Sequence, residues 1–277
     1  MSNPVYQIII SGLITIAIYL PMLVKLVNQW STDENYSHGF LIPIITAYLI
    51  YEKREKLKEL EFKPTHWGLG LVFVGLGIYL FGVIGADLFT QRFSFLVVLI
   101  GSILCLFGSD VFKEISFPLF YLFFMIPIPY VIFFAIAAPL KLFVAEVAVN
   151  LLKTAGLPIM RVGNKIYLPN AQLTVAYACS GLRSLISLIA LGAVFGYVTQ
   201  KIAWKRLVIF ALTVPIAIMA NIVRILITCL VAFVYGEEIA TGFLHDFSGM
   251  LVFGVAVFLL IFTGGLMWEG NKPTSIS

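Results

Sequence analysis

The sequence predicts an all-α, multi-pass membrane protein of about eight transmembrane helices, with one further interfacial helix and a short β-hairpin or meander on the outer face. Three observations carry this. Apolar residue types fill 61% of the 277 positions, enough for about eight spans of about 20 residues each. Charged residues make up only 12%, against about 25% in a soluble domain. The apolar residues also gather into nine runs, near 5–27, 38–51, 68–85, 91–108, 115–128, 130–152, 183–199, 206–234 and 248–268. A water-soluble fold is excluded, as is a sizeable soluble domain, because the longest polar stretches are only 52–66 and 156–181. The chain therefore reads as a single integral membrane domain, residues 1–277. Its net charge of +4 sits in loops between apolar runs, which marks topology and not a nucleic-acid footprint. Three cysteines, Cys105, Cys179 and Cys229, form no CxxC pair, so neither a disulfide framework nor a zinc site is expected, and no metal or other cofactor. Residues 1–4 lack basic charge and the next apolar run is too long for a cleavable signal, so none is expected.

Sidedness follows from the basic loops, since short loops rich in Lys and Arg stay in the cytoplasm. The loop after the second run holds Lys53, Arg54, Lys56, Lys58 and Lys63, and the loop after the seventh holds Lys201, Lys205 and Arg206. An even number of crossings must separate two loops on one side, yet five apolar runs lie between them. The run at 130–152 is the one set aside. It follows Pro127-Ile128-Pro129 and carries Lys141, Glu146 and Asn150, a mixture that suits a helix lying in the interface. The alternative is a ninth span with one loop that breaks the charge rule. Eight spans put both termini in the cytoplasm and deliver 28–37, 86–91, 129–182 and 235–247 to the outer side. Within the third of these, residues 156–178 change period. Ile159 to Val162, Lys165 to Leu168 and Gln172 to Tyr177 are β-prone, separated by the turn dipeptides Gly163-Asn164 and Pro169-Asn170.

Ionisable groups inside spans are costly and mark functional positions by default. From Leu207, at the cytoplasmic end of its span, the chain climbs about 25 Å of a core about 30 Å thick before reaching Arg224. Asn221, three residues earlier, shares its helical face. Cys179 lies where the seventh span begins, and a helix N-terminus favours the thiolate. His245 precedes the last span and titrates near neutral pH. Topology thus brings a thiol, a base and a cation to one depth at the outer boundary. The matching roles are attack on an amide carbonyl by Cys179, proton transfer by His245 and oxyanion stabilisation by Arg224. Arg183, four residues after Cys179, holds either the thiolate or a substrate carboxylate. The bland readings are a small buried hydrophobe for Cys179, as for Cys105 and Cys229 in mid-span, an interfacial polar residue for His245, and a structural tie from Arg224 to Asn221, Glu237 or a helix-end carbonyl. His38 either lines the same site or caps the second span, and His66 falls on the cytoplasmic side.

Together, Ala178-Cys179-Ser180-Gly181-Leu182-Arg183, Ala220-Asn221-Ile222-Val223-Arg224 and the single His245 before the last span resemble the exosortase/archaeosortase family over roughly residues 30–265. Tyr36-Ser37-His38-Gly39 and Phe124-Met125-Ile126-Pro127-Ile128-Pro129 are similar to bacterial exosortases too. The resemblance implies a membrane cysteine peptidase, a transpeptidase, in the cell (inner, cytoplasmic) membrane with its site facing outward. Its substrates would be secreted proteins with a C-terminal sorting tail, a Pro-Glu-Pro-type motif followed by a transmembrane helix and a basic cluster. The family's three roles fall on Cys179, Arg224 and His245, with Arg183, Ser180, Asn221, His38 and Tyr36 in substrate-binding or supporting places, and either Arg183 or the exposed hairpin around Arg161 and Lys165 is expected to contact the acidic residue of the motif. An acyl-enzyme on Cys179 would pass to a surface amine or hydroxyl acceptor. Lipid is the surrounding partner, and no nucleic acid is expected. Some exosortases carry an added soluble C-terminal domain, whereas this chain stops eight residues after Glu269, which leaves a separate accessory protein open. Two other classes compete. A transporter would use Arg224 and His245 as an ion or substrate site, but inverted sequence halves are not seen. A thiol-redox protein would need paired outer cysteines, and only Cys179 is expected there.

Overall fold

The computed structural model describes residues 4–175, 182–241 and 243–267, with side chains for all of these except 4, 5, 7, 182–184, 241 and 243–248. It is 82% helical with one small sheet, as the apolar periodicity demands of a chain whose backbone must satisfy itself in lipid. Two compact units divide it, Met1–Pro129 and Tyr130–Ser277. Among the described residues six helices are long and apolar enough to cross a membrane.

The first unit contains α1 (Pro4–Thr32), a 3-10 segment (Glu34–Phe40), α2 (Leu41–Glu52), α3 (Arg54–Glu59), α4 (His66–Ile84), α5 (Leu88–Leu106), α6 (Ser109–Tyr121) and a second 3-10 segment (Leu122–Met125). α1, α4 and α5 are of spanning length. The runs at 38–51 and 115–128 differ from expectation by forming helices of only 12 and 13 residues. At the first of these the chain winds as a 3-10 turn under Trp30, whose indole lies so close to Gly39 that a Cβ there would meet its Cδ1 at 2.6 Å. α6 starts six residues ahead of its apolar run, after Gly108 (φ 91°), and its second turn is fastened to Lys53, the residue that caps α2, by an ion pair from Lys53 Nζ to Glu114 Oε1 at 2.9 Å. α5 is capped by Asp87, whose carboxylate accepts from the Thr90 N–H at 2.8 Å.

α4 and α5 make the most intimate pair, and glycine explains it. Gly68, Gly75 and Gly82, all buried, repeat every seven residues along one seam of α4. A Cβ at Gly68 would fall 2.6 Å from the Gly101 carbonyl oxygen, and one at Gly101 would fall 2.8 Å from Val72 N. Helices in lipid gain little from hydrophobic burial, so close backbone approach through small residues supplies the packing. Gly68→Leu is therefore expected to lower the thermal midpoint of the purified protein by several degrees or prevent folding. Gly70→Leu, at a position with nothing within 4 Å, should leave the midpoint unchanged; equal midpoints for the two variants would refute the seam.

The second unit runs α7 (Tyr130–Thr154), β1 (Met160–Val162), β2 (Lys165–Leu168), β3 (Ala171–Thr174), α8 (Leu182–Thr199), α9 (Ala203–Tyr235), α10 (Glu237–Thr241) and α11 (Phe243–Leu266). α7, the run expected to lie in the interface, is also long and apolar enough to cross a membrane. Lys141 lies on its buried face with Ala137, Val144, Ala145 and Ala148, while Glu146 reaches Arg161 Nη2 at 3.1 Å. The sheet is an antiparallel meander in the order β1-β2-β3, its first hairpin pairing Val162 with Lys165 across Gly163-Asn164. Gly163 takes φ 62° and Asn164 does not go positive, the pattern of a type II′ turn. β3 ends at Thr174, short of the expected Tyr177; residues 176–178 lie outside the described residues. The sheet is tied to α9 and α10. Asn170 Nδ2 donates to the Phe233 carbonyl at 2.9 Å, and the Gln172 N–H donates to Glu237 Oε2 at 3.1 Å. Ile166, Leu173 and Val175 bury against Ile222, Ile225 and Cys229 of α9.

α8, α9 and α11 form an antiparallel stack whose register can be read from its glycines. A Cβ at Gly196 would lie 3.5 Å from Ile209 Cβ, one at Gly264 3.6 Å from Ile209 Cδ1, and one at Gly192 3.4 Å from Thr213 Cβ and 3.8 Å from Leu260 Cδ2. Two turns further along α9, Ala217 shares a core with Leu188 and Ala256. At the loop end the stack is stapled by polar groups: Gln200 Nε2 donates to the Gly264 carbonyl, Lys205 Nζ to the Met267 carbonyl and Arg206 Nε to the Gln200 carbonyl, at 3.2, 2.9 and 2.7 Å. These contacts are why α9 begins at Ala203, three residues before the apolar run.

Candidate functional site

At the other end of the stack the apolar face of α9 carries two polar residues in succession. Asn221 is 5% exposed, on the face shared by Thr213 and Ala217. Arg224 follows one turn later and is half-buried, with its carbonyl accepting from Thr228 Oγ1 at 2.9 Å. Its guanidinium lies against α11 at Gly249, where an added Cβ would come 2.9 Å from Nη2 and 3.0 Å from Cζ.

Asn221, Arg224 and Gly249 border a cavity of about 10 Å³ whose remaining walls are Leu188, Ala217, Ala220, Val252, Phe253 and Ala256. That is room for about one water-sized atom. Asn221 Nδ2 is buried and has no hydrogen-bond partner among the described residues. A buried amide donor left open would cost about 1–3 kcal/mol, so Nδ2 calls for a partner beyond the described residues, a water or a ligand. The arrangement is a largely apolar pocket with an Asn and an Arg in its wall. Its chemistry is that of a site for a single acceptor oxygen.

His245 is the third residue of α11 and precedes Gly249 by one helical turn on the same face; its side chain lies outside the described residues. Arg183 is the second residue of α8, with a side chain likewise outside the description, and Cys179 and Ser180 fall wholly outside it. The described chain reaches them from both flanks. Val175, four residues before Cys179, is 4% exposed in the core with Ile222 and Ile225, the neighbours of Arg224. Leu185, six residues after Cys179, is 8% exposed in the core with Ala217.

Tyr36 and His38 belong to the first unit. The Tyr36 hydroxyl donates to the Ile128 carbonyl at 3.3 Å, Trp30 Nε1 donates to the Met125 carbonyl at 3.0 Å, and the half-buried His38 imidazole faces the main-chain oxygens of Phe124 and Asn35. The Tyr-Ser-His-Gly and Phe-Met-Ile-Pro-Ile-Pro segments therefore pack on each other. Sequence reasoning missed Gly249. One signal pointed to it, its spacing of four from His245, but a glycine in an apolar span carries no chemistry until its neighbour across the helix pair is known. Among the described residues no group of three or more His, Cys, Asp or Glu side chains gathers to hold a metal.

Neither the curated proteins nor the solved structures include a significant match to this chain. The family model of the transmembrane exosortases matches residues 30–262, which takes in Asn221, Arg224 and Gly249 and most of both units. A multi-pass helical chain with this match over most of its length belongs to the transmembrane exosortase family.

Proposed function

We propose that the protein is a cysteine transpeptidase that cuts C-terminal sorting tails from secreted proteins at the outer membrane boundary, with Cys179 as nucleophile, His245 as general acid and base, and Arg224 with Asn221 as the oxyanion site. The observation that carries this reading is that Asn221 and Arg224, two residues with N–H donors, line one water-sized cavity beside Gly249. The register of the stack supports it. Seven residues on from Ala217 lies Arg224, and seven back from Ala256 lies Gly249. The same step back from Leu188 passes the start of α8 and enters the segment that carries Cys179. His245 comes level with Thr228 on α9, about one turn or 6 Å beyond Arg224. Chain length holds Cys179 within about 14 Å of the Val175 Cα.

In the first step the Cys179 thiolate attacks the scissile carbonyl carbon, and the carbonyl π pair moves to oxygen, where the two donors receive it. Collapse expels the tail amine, which takes a proton from His245, and a thioester remains. A surface amine or hydroxyl then gives its proton to His245 and displaces the thiolate, which restores the enzyme. Co-expression with a secreted protein bearing a Pro-Glu-Pro tail should yield a product that has lost the tail's transmembrane helix. A substrate that keeps its helix in the presence of the wild-type chain, for every tail motif tried, refutes the reading.

Arg183 sits in the first turn of α8, next to the Cys179 segment, and is assigned to the glutamate of the sorting motif. Arg183→Glu should abolish processing of a Pro-Glu-Pro tail, and a Pro-Lys-Pro tail should restore part of it. Unchanged processing by Arg183→Glu sinks the assignment.

A further inference from the structure

We infer that Gly249 is a positioning residue of the catalytic centre, kept without a side chain so that the Arg224 guanidinium can lie against α11; this rests on the assignment of Arg224 as an oxyanion donor. A Cβ at 249 would stand 2.9, 3.0 and 3.5 Å from Nη2, Cζ and Nε of Arg224. All three are atoms at the far end of a flexible side chain, so an alanine moves the guanidinium and leaves the helices in place. Other glycines of the stack behave differently. A Cβ at Gly196 would meet the Arg206 main chain, at 3.2 Å from its carbonyl oxygen, and so would press on a backbone. Gly254 and Gly265, on the same helix as Gly249, have nothing within 4 Å, so their positions tolerate a methyl group. Among the described glycines of α11, Gly249 alone is matched to a charged group.

Two neighbours make the contact matter. Arg224, whose guanidinium is pressed on Gly249, borders the same small cavity as Asn221, whose buried Nδ2 has no partner among the described residues. A methyl group at 249 would push the guanidinium off its seat on α11 and change its position relative to Asn221. Gly249 also lies one turn from His245 on the same helical face, so the glycine fixes where the cation sits relative to the α11 segment that carries the base. Displacements well under 1 Å at a reacting centre cost large factors in rate, on the order of 10²-fold for a full 1 Å.

The test compares tail cleavage by the purified full chain in lipid for the wild type, Gly249→Ala, Arg224→Ala, the double variant and Gly254→Ala, with thermal midpoints measured alongside. Gly249→Ala is expected to keep the wild-type midpoint, to lower kcat about 10- to 100-fold with KM little changed, and to add no further loss in the Arg224→Ala background. Gly254→Ala is expected to match the wild type. Wild-type activity of Gly249→Ala, a loss that multiplies in full with that of Arg224→Ala, or a Gly249→Ala protein that fails to fold would each overturn the inference. An Arg224→Ala enzyme that keeps full activity would instead overturn the assignment of Arg224 itself, so the two failures are distinguishable.

Discussion

Cys179→Ala is expected to leave a tailed substrate uncut, a loss on the order of 10⁴-fold or more, while the protein accumulates and melts as the wild type does. The size follows from the role. Removing the nucleophile of a group that works as a unit costs nearly as much as removing the whole unit, with the residue of catalysis left to binding and oxyanion stabilisation. The other two cysteines set the comparison. Cys229 is buried in the core where α9 meets the sheet and Cys105 stands near the end of α5, so Cys105→Ala and Cys229→Ala should cleave at the wild-type rate. Tail release that survives in Cys179→Ala and disappears in Cys229→Ala would reverse the assignment. The readout is the ratio of tailed to processed substrate over time, corrected for enzyme amount.

Arg224→Ala is expected to lower kcat about 10²- to 10³-fold, the usual cost of losing one oxyanion donor in a dry site. Because the interaction is made in the transition state and not with the ground-state carbonyl, kcat and kcat/KM should fall together. Arg224→Lys should recover part of the loss, since an ammonium supplies the charge but not the planar fork of donors. Asn221→Ala should cost less, about 10-fold, and should combine with Arg224→Ala to less than the product of the two. A raised KM with kcat intact in Arg224→Ala would place the cation in substrate docking and remove it from the chemistry.

Much of the fold was legible because the bilayer permits so few solutions. Apolar runs long enough to span become helices, and those at 5–27, 68–85 and 206–234 all did so, with ends shifted outward where a polar residue found a partner. Lys205 is the clearest instance: charged and one residue ahead of the apolar run, it reads as loop, yet its bond to the Met267 carbonyl lets the helix begin ahead of it. The meander was legible from its turn dipeptides, since Gly163 can take the positive φ that its hairpin needs. The shortening of α2 was not, because the cause is Trp30 lying over Gly39, a contact between residues whose spacing has no period. The site divides in the same way. Asn221 and Arg224 declare themselves as polar residues three apart in an apolar helix. Gly249 does not, since its meaning lies in the helix across from it.

The central claim is a covalent one: the substrate passes through a thioester on Cys179. The measurement that tests it most directly is mass analysis of the Cys179 peptide after rapid acid quench of the wild-type enzyme turning over a tailed substrate without an acceptor. The account predicts added mass on Cys179 equal to the acyl portion left by tail cleavage, removed by hydroxylamine and absent when the substrate lacks its sorting motif. Tail cleavage at full rate with Cys179 unmodified at every quench time, and no such mass on the peptide, would contradict it.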